Sequence, residues 1–343
     1  MRRSGWILFG LGVLLIVAAV VLRFVVAPNA TKLPSDTDTV TTYSGTGSIL
    51  NATALRSGDV ANALARNIPV TLDRHVSVSQ TDGNTAIVHD DLTLKSEAQS
   101  VEDNHTYAVD RTKLTEAPPI QGVQVEDHQG LTISLPVDPE PKDNVYKYWD
   151  TPTRSAVPVR YVGTEKREGR DTFHYEAKAS GPLTNPALQQ QLPSSLPKTL
   201  APRLITLLPT ETQQRLAPLL SALPDQVPLS YTATSTYDVW ADSKLGVPID
   251  TKINRQIVAN VSAVQIPLIP VLAIDVTEDQ ASKKAAADKA SSAATKLSWL
   301  RTWGPFLLVI LGLVLAVLGL LRRKPPTVAA EEHPVGAAPR APD

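Results

Sequence analysis

The chain has 343 residues, with 33 Lys and Arg against 34 Asp and Glu and a formal net charge of −1. The basic residues are scattered along it, which excludes the basic footprint of a nucleic-acid-binding protein. Because there is no cysteine, disulfides, thiolate metal sites, thiol nucleophiles and the lipidated cysteine of a bacterial lipoprotein are excluded as well.

The first predicted element is a membrane helix at residues 6–27, after a short cytoplasmic N-terminus, residues 1–5. The segment is apolar except for Arg23, and about 22 residues at about 1.5 Å each span the hydrocarbon core of a bilayer. A cleaved signal peptide is the alternative, because Arg2 and Arg3 supply a positive start. The length of the run, and Pro28 directly after the cut, favour a retained helix.

A second membrane helix is predicted at residues 303–321, which carry no charge and are followed by Arg322, Arg323 and Lys324. Positive residues therefore lie before the first helix and after the second. By the positive-inside rule, both termini are cytoplasmic and the middle of the chain is outside the membrane. The Pro- and Ala-rich tail, residues 322–343, is predicted to be disordered.

Small residues recur on both helices, which predicts that the helices pack closely. They are Gly5, Gly10 and Gly12 on the first helix and Gly312, Ala316 and Gly319 on the second.

Residues 28–277 are predicted to form an extracytoplasmic β-rich domain, because short runs of alternating apolar and polar residues are separated by turn sequences. The turns include Thr81-Asp82-Gly83-Asn84 and Asp242-Ser243-Lys244-Leu245-Gly246. The predicted strands are 40–50, 68–79, 85–88, 91–96, 105–110, 122–125, 131–135, 146–150, 156–164, 171–179, 229–242 and 247–263.

A leucine-rich segment, residues 183–228, interrupts this pattern and predicts short helices at 188–192, 196–208 and 211–223. Its leucines exceed what one face of a short helix hides, so they either close the core, cover an apolar ligand, or contact the membrane or another subunit. The candidate cover for an apolar ligand consists of Leu188, Leu192, Leu196, Leu204, Leu207, Leu208, Leu216, Leu219, Leu220 and Leu223.

Residues 278–302 are rich in Ala, Lys and Ser without proline, which predicts a stalk helix leading to the second membrane segment. A flexible tether is the alternative. The predicted fold is therefore α+β and mainly β: an antiparallel meandering sheet with a leucine-rich helical insert, flanked by two transmembrane helices.

The sequence predicts no catalytic residue, no metal site and no cofactor, and hence a protein that is not an enzyme. His75, His89, His105, His128 and His174 match no metal-binding spacing. Neighbouring acids such as Glu126 and Asp127 are typical of exposed strands.

The sequence resembles an actinobacterial family of two-helix envelope proteins that is often labelled the porin PorA family. The resemblance covers residues 5–322 and includes the two membrane segments and the proline-rich leucine helices. Its most distinctive motifs are Tyr146-Lys147-Tyr148-Trp149-Asp150, Tyr161-Val162-Gly163, Phe173-His174-Tyr175 and Tyr237-Asp238-Val239-Trp240-Ala241-Asp242 with Gly246. The family label implies a channel, but two helices in one chain line a wide pore only in an oligomer.

The leading hypothesis is a membrane-anchored envelope protein whose outer domain binds or transfers a lipidic or other apolar envelope component. One alternative is a porin-like or channel-associated homo-oligomer. Another is a structural or adhesive domain. The expected partners are membrane lipid and an apolar envelope ligand, and nucleic acid is not expected.

Overall fold

The computed structural model describes residues 3–51, 54–55, 57–59, 62–97, 99–205 and 210–321. These residues form two compact units: a helical unit, residues 3–29 with 297–321, and a β-rich unit, residues 30–296. The predicted disordered tail, residues 322–343, lies outside the described residues.

Six α-helices are numbered in the described part of the chain, and several of them are extended by short turns of α-, 3₁₀- or π-helix. They are α1 (Arg3–Val21), α2 (Pro186–Gln190), α3 (Ala201–Ile205), α4 (Thr210–Leu216), α5 (Gln280–Ser298) and α6 (Gly304–Leu321). The extending turns are Leu22–Val26 and Ala27–Asn29 after α1, Lys198–Leu200 before α3, Ala217–Ala222 after α4 and Trp299–Trp303 before α6.

Within the described residues, two helices are long and apolar enough to cross a membrane. One is Ser4–Asn29, with 26 residues, and the other is Gln280–Leu321, with 42 residues in all. Their apolar segments, α1 and α6, pack together closely through small residues. A Cβ atom on Gly312 would lie 2.7 Å from the carbonyl oxygen of Gly12, and one on Gly319 would lie 2.7 Å from the backbone nitrogen of Phe9. The predicted close packing of the two apolar helices is confirmed.

The β-rich unit is built around one curled antiparallel sheet, and the prediction of a mainly β, antiparallel fold is confirmed. The strand order is β4-β3-β2-β1-β11-β10-β9-β7-β6-β5, with β8 paired to β9. The strands are β1 (Asp38–Leu50), β2 (Leu64–Asp82), β3 (Thr85–Lys95), β4 (Ser100–Asp110), β5 (Lys147–Asp150), β6 (Ser155–Arg167), β7 (Arg170–Pro182), β8 (Ser195–Pro197), β9 (Gln226–Asp242), β10 (Pro248–Val261) and β11 (Ile266–Glu278).

Local turn sequences explain the hairpins. Gly83 and Asn84 join β2 to β3, and Gly83 adopts a positive φ of 54° that its missing Cβ permits. Between β9 and β10, a Cβ on Gly246 would collide with the carbonyl oxygens of Leu135 and Pro136. Both turns occur where the sequence predicts them.

The connection between the edge strands, residues 111–146, differs from prediction, because the strands expected at 122–125 and 131–135 do not form. The segment instead makes isolated hydrogen bonds to both edges of the sheet. The Glu126 amide donates to the Thr106 carbonyl on β4 (2.8 Å), and the Leu131 amide donates to the Lys147 carbonyl on β5 (2.8 Å). Pro118, Pro119 and Pro136, which lack amide donors, flank the two expected strands and limit the length of any ladder there. The segment therefore covers two strand edges without becoming a strand.

Strand β11 was not predicted, although it lies at the centre of the sheet between β1 and β10. Its Pro267 and Pro270 argue against a central strand. Neither proline pairs with β1, because the pairing of β1 with β11 ends at Ile49 and Leu272. On the other side of β11, both prolines lie where the pairing with β10 is irregular. The prolines therefore remove donors where the ladder is already interrupted.

Residues 183–228 contain the short helices α2, α3 and α4 and the strand β8. Asn185 begins α2, because its Oδ1 accepts hydrogen bonds from the amides of Ala187 (2.9 Å) and Leu188 (3.2 Å). The predicted helix at 196–208 begins instead as strand β8, and its last three residues lie outside the described part. After α4, Pro218 lies at the start of the 3₁₀ turn Ala217–Ala222.

Candidate functional site

The β-rich unit contains a cavity of about 330 Å³ between the sheet and one side of α5. Most of its walls are apolar. The apolar side chains on the strands, on the 111–146 connection and on α5 include Val76, Leu131, Ile133, Leu135, Val159, Ala177, Val239, Leu245, Val247, Ile253, Ala286 and Ala290. Lys289 and Ala293 on α5 also line the cavity and are exposed, so that side of it borders solvent.

The start of α5 is fixed to the sheet by polar contacts. Asp279 caps the helix by accepting a hydrogen bond from the Ser282 amide (2.7 Å), and the Ser282 hydroxyl accepts one from the Thr42 amide on β1 (3.1 Å). Lys283 forms an ion pair with Asp250 on β10, with Nζ 2.9 Å from Oδ1. These contacts hold the first turn of the helix that forms one cavity wall.

Arg74 on β2 brings a positive charge to the cavity wall, and Asp90 on β3 neutralises it. Nε of Arg74 donates to Oδ1 of Asp90 and Nη2 donates to Oδ2, both at 2.7 Å. Nη2 also donates to the Thr132 carbonyl (2.8 Å). The pair is bidentate and buried, a geometry that compensates for desolvation of the two charges.

Glu278, at the end of β11, is a second ionisable group on the cavity wall and is 5 % exposed. Burial raises its pKa to about 8, and the neighbouring carboxylate of Asp250 acts in the same direction. Glu278 is therefore mostly protonated and neutral at pH 7.

A second group of polar side chains, which we call the histidine cluster, comprises the buried Asp103, His105 and Asn185 and the partly buried Glu126 and Arg154. Nδ1 of His105 lies 3.0 Å from Oε1 of Glu126, and Nη1 of Arg154 donates to Oε2 of Glu126 (2.9 Å). Nδ2 of Asn185 donates to Oδ1 of Asp103 (2.7 Å). The cluster therefore connects β4, the 111–146 connection and the start of α2.

His105 is 4 % exposed. Its Nε2 lies 3.1 Å from Oδ1 of Asp103, close enough for charge attraction but not aligned for a hydrogen bond. Burial alone would lower the pKa of His105, but the two carboxylates outweigh it and raise the pKa to about 9. Burial would raise the pKa values of Asp103 and Glu126, and their contacts with His105 lower them instead.

The histidine cluster corrects the sequence interpretation of one of its members, Glu126. Glu126 does not decorate an exposed strand, since it is partly buried and bonded to His105 and Arg154. Sequence spacing gives no sign of this contact, because Glu126 lies in an irregular connection. Among the described residues, no group of three or more His, Asp or Glu side chains is arranged to hold a metal ion.

The leucines predicted as a ligand cover lie in or against the hydrophobic core. Leu188, Leu196 and Leu216 are buried within it, and Leu192, Leu219, Leu220 and Leu223 are partly buried against it. Leu207 and Leu208 lie outside the described residues, as does the side chain of Leu204. None of these candidate cover leucines with described side chains lines the 330 Å³ cavity, and their role as a cover stays a prediction.

Sequence reasoning did not identify the cavity residues. The lining side chains come from strands distant in sequence, and the alanines of α5 carry no distinctive pattern. The available signals were the Tyr146–Asp150, Phe173–Tyr175 and Tyr237–Asp242 motifs, which contain the lining residues Tyr148, Tyr175, Tyr237 and Val239.

Two long apolar helices and a curled antiparallel sheet are consistent with a membrane protein that carries a β-rich domain. The Porin PorA family model matches residues 4–321, and the chain belongs to this family. The family and the curled sheet fit a porin-like role. No curated protein matches the sequence.

Proposed function

We propose that the β-rich unit binds an apolar component of the cell envelope, such as the acyl chain of a lipid, without catalysing a reaction on it. The observation that carries this proposal is the cavity beside α5. Its volume of about 330 Å³ lies at the lower end of the range for small-molecule sites, about 300–1,000 Å³. Its walls are largely apolar, and burying an acyl chain against them is favourable by roughly 25 cal/mol per Å².

The proposal includes a place for the domain at a membrane. The helices α1 and α6 cross the bilayer, with both chain termini in the cytoplasm and residues 28–302 outside it. Arg2 and Arg3 before the first apolar segment and Arg322–Lys324 after the second support this orientation. A domain tethered at both ends cannot leave the membrane, so its ligand must reach it at the outer face.

The same proposal includes the leucine-rich insert, residues 183–228, as a cover that keeps water from the interior. Three of its leucines, Leu188, Leu196 and Leu216, are buried in the core shared with the sheet. Burial of these side chains stabilises the folded unit by about 1.5–3 kcal/mol for each fully buried leucine.

A porin-like channel, in which several copies assemble, is the second candidate, and the family match favours it. The exterior of the β-rich unit favours ligand binding instead. Large apolar side chains exposed on its described part are five scattered valines: Val40, Val145, Val162, Val247 and Val264. A sheet that crosses a membrane with its strands instead presents a continuous apolar band about 25 Å tall.

Lipid analysis of the full-length protein tests the first candidate. The chain is purified in detergent, transferred to amphipol, and extracted for mass spectrometry. We expect about one apolar molecule per chain. Ala290→Phe, which places a ring into the cavity from α5, should lower that occupancy at least about fivefold, since the buried Ala290 forms part of the wall.

Ala285→Phe is the matched control, because Ala285 is exposed on the same helix and does not line the cavity. Its occupancy should equal that of the wild type. Protein without bound lipid, or Ala290→Phe protein with unchanged occupancy, would contradict the ligand-binding proposal. Stable single-channel conductance in planar bilayers would support the porin-like candidate, and absence of both lipid and conductance would leave the structural or adhesive alternative.

A further inference from the structure

Two tyrosine hydroxyls on the cavity wall have no hydrogen-bond partner within the described residues. Tyr43 on β1 is 3 % exposed and Tyr148 on β5 is partly buried, and both side chains line the cavity. Burial raises the pKa of each, so both hydroxyls stay protonated. Each is therefore a hydrogen-bond donor left unused by the described residues, and neither oxygen is among the fully enclosed atoms without a partner, so a ligand or water in the cavity can accept from it.

Two other tyrosines on the same wall show that such hydroxyls are normally used. The Tyr175 hydroxyl donates to the Glu140 carbonyl (2.8 Å), and the Tyr237 hydroxyl donates to Oδ1 of Asp150 (2.8 Å). Tyr43 and Tyr148 differ from them in having no such acceptor among the described residues, although they lie in the same interior.

Arg74 adds a third donor to this part of the wall. Its Nε and Nη2 atoms are occupied by Asp90 and the Thr132 carbonyl, whereas Nη1 has no hydrogen-bond partner in the described part of the chain. In the register of β1 and β2, Thr41 lies opposite Arg74, so Tyr43, two residues further along β1, lies on the same face of the sheet as Arg74. Thr132, whose carbonyl accepts from Arg74, directly follows Leu131, which pairs with Tyr148. Because Asp90 already balances the charge of Arg74, the three groups offer donors without a net positive charge.

We propose that Tyr43, Tyr148 and Arg74 form a subsite for the carbonyl oxygen of an acyl ester, with the acyl chain against the apolar cavity walls. This inference rests on the proposed function and adds the chemical class of the ligand. A carbonyl oxygen has two lone pairs and brings no charge. A carboxylate would place an uncompensated negative charge in the interior, where the charge of Arg74 is already balanced by Asp90, and burying such a charge is unfavourable.

The subsite is tested with three probes. They share a sixteen-carbon chain but differ in their polar end. Tritiated methyl palmitate, palmitate and hexadecane are titrated against full-length protein in amphipol at pH 7. We expect the ester to bind about three- to tenfold more tightly than the alkane, as one or two net hydrogen bonds provide. Palmitate should bind more weakly than the ester.

Tyr43→Phe and Tyr148→Phe keep the rings and remove one hydroxyl each. Either variant should lower ester affinity about three- to tenfold and leave hexadecane affinity within about twofold. Tyr175→Phe is the matched control: it lines the same cavity, but its hydroxyl is already bonded to Glu140, so the ester preference should persist.

Hexadecane binding without an ester preference would overturn the subsite and leave the proposed function intact. The same holds if palmitate binds more tightly than the ester, or if Tyr43→Phe and Tyr148→Phe both keep the wild-type preference. Failure of all three probes to bind would overturn the proposed function itself.

Discussion

The interior of the β-rich unit holds polar side chains in two different settings, the histidine cluster and the cavity wall. In the histidine cluster, each side chain is bonded to another member, as Asn185 is to Asp103 and Glu126 is to Arg154. On the cavity wall, the hydroxyls of Tyr43 and Tyr148 have no partner among the described residues. Side chains of the histidine cluster therefore stabilise the fold, whereas the two tyrosine hydroxyls are available to a ligand. Removing a polar group should destabilise the protein in the histidine cluster and should not destabilise it on the cavity wall.

The largest expected effect is in the histidine cluster. Asp103→Ala removes the acceptor of Asn185 and one of the two carboxylates beside His105. Because breaking a buried charge pair leaves a charge uncompensated, the free energy of unfolding should fall by about 3–5 kcal/mol. Thermal and urea unfolding of the full chain in detergent, followed by circular dichroism, measures the change.

Asp171→Ala is the control for that substitution, because the Lys166–Asp171 pair lies at the surface with both side chains exposed. Its effect should stay below about 0.5 kcal/mol. Equal effects of the two variants would show that the histidine cluster does not hold the fold.

The next largest effect is the pH dependence of stability that His105 brings. Its pKa of about 9 exceeds that of a free imidazole, about 6.5, so the folded state binds the proton more tightly. The resulting stabilisation, about 3 kcal/mol, is complete below about pH 6.5 and disappears as the pH rises through about 9.

The free energy of unfolding is measured from pH 6 to pH 10 for the wild type and for His105→Gln. The difference between the two proteins isolates the contribution of His105 from those of other groups. We expect the difference to shrink toward high pH. A difference that stays constant over that range would mean that His105 is not charged in the folded protein. Below about pH 4, protonation of Asp103 and Glu126 should also destabilise the cluster, since their pKa values are lowered in the fold.

Much of the sheet could be predicted from sequence, because apolar and polar residues alternate along its strands and its hairpin turns have local sequence signals. The Gly83 and Gly246 turns and the close packing of the apolar helices follow from such short-range patterns. Strand β11 could not be predicted, because Pro267 and Pro270 are tolerated only where its pairing is irregular. That irregularity is a property of the whole sheet.

The cavity was beyond prediction for a related reason. The leucines of residues 183–228 with described side chains pack in or against the core, and their role as a ligand cover stays a prediction. The cavity wall on α5 consists of Ala286, Lys289, Ala290 and Ala293, which form no distinctive pattern in the sequence. Tyr43 and Tyr148 lie on β1 and β5, and only the curl of the sheet brings them together.

The smallest expected effects compare two tyrosines. Tyr237→Phe should lower the free energy of unfolding by about 1–3 kcal/mol, because it leaves Asp150 and Arg255 without a shared buried partner. Tyr43→Phe should leave stability unchanged or raise it by up to about 1 kcal/mol, since the hydroxyl it removes makes no hydrogen bond to any described residue.

Melting temperatures of the lipid-stripped variants, measured side by side, give this comparison. If Tyr43→Phe destabilises the protein as much as Tyr237→Phe does, then the Tyr43 hydroxyl belongs to the fold and not to a ligand site.

The central claim, that an apolar ligand lies in the cavity beside α5, is tested most directly by photo-crosslinking with a palmitoyl ester that carries a diazirine near the chain end. Full-length protein is labelled and the adducts are located by peptide mass spectrometry. We predict adducts on α5 around Ala286 and Ala290 that disappear in Ala290→Phe protein. Labelling confined to the leucines of residues 183–228, or labelling of α5 that Ala290→Phe does not reduce, would contradict the claim.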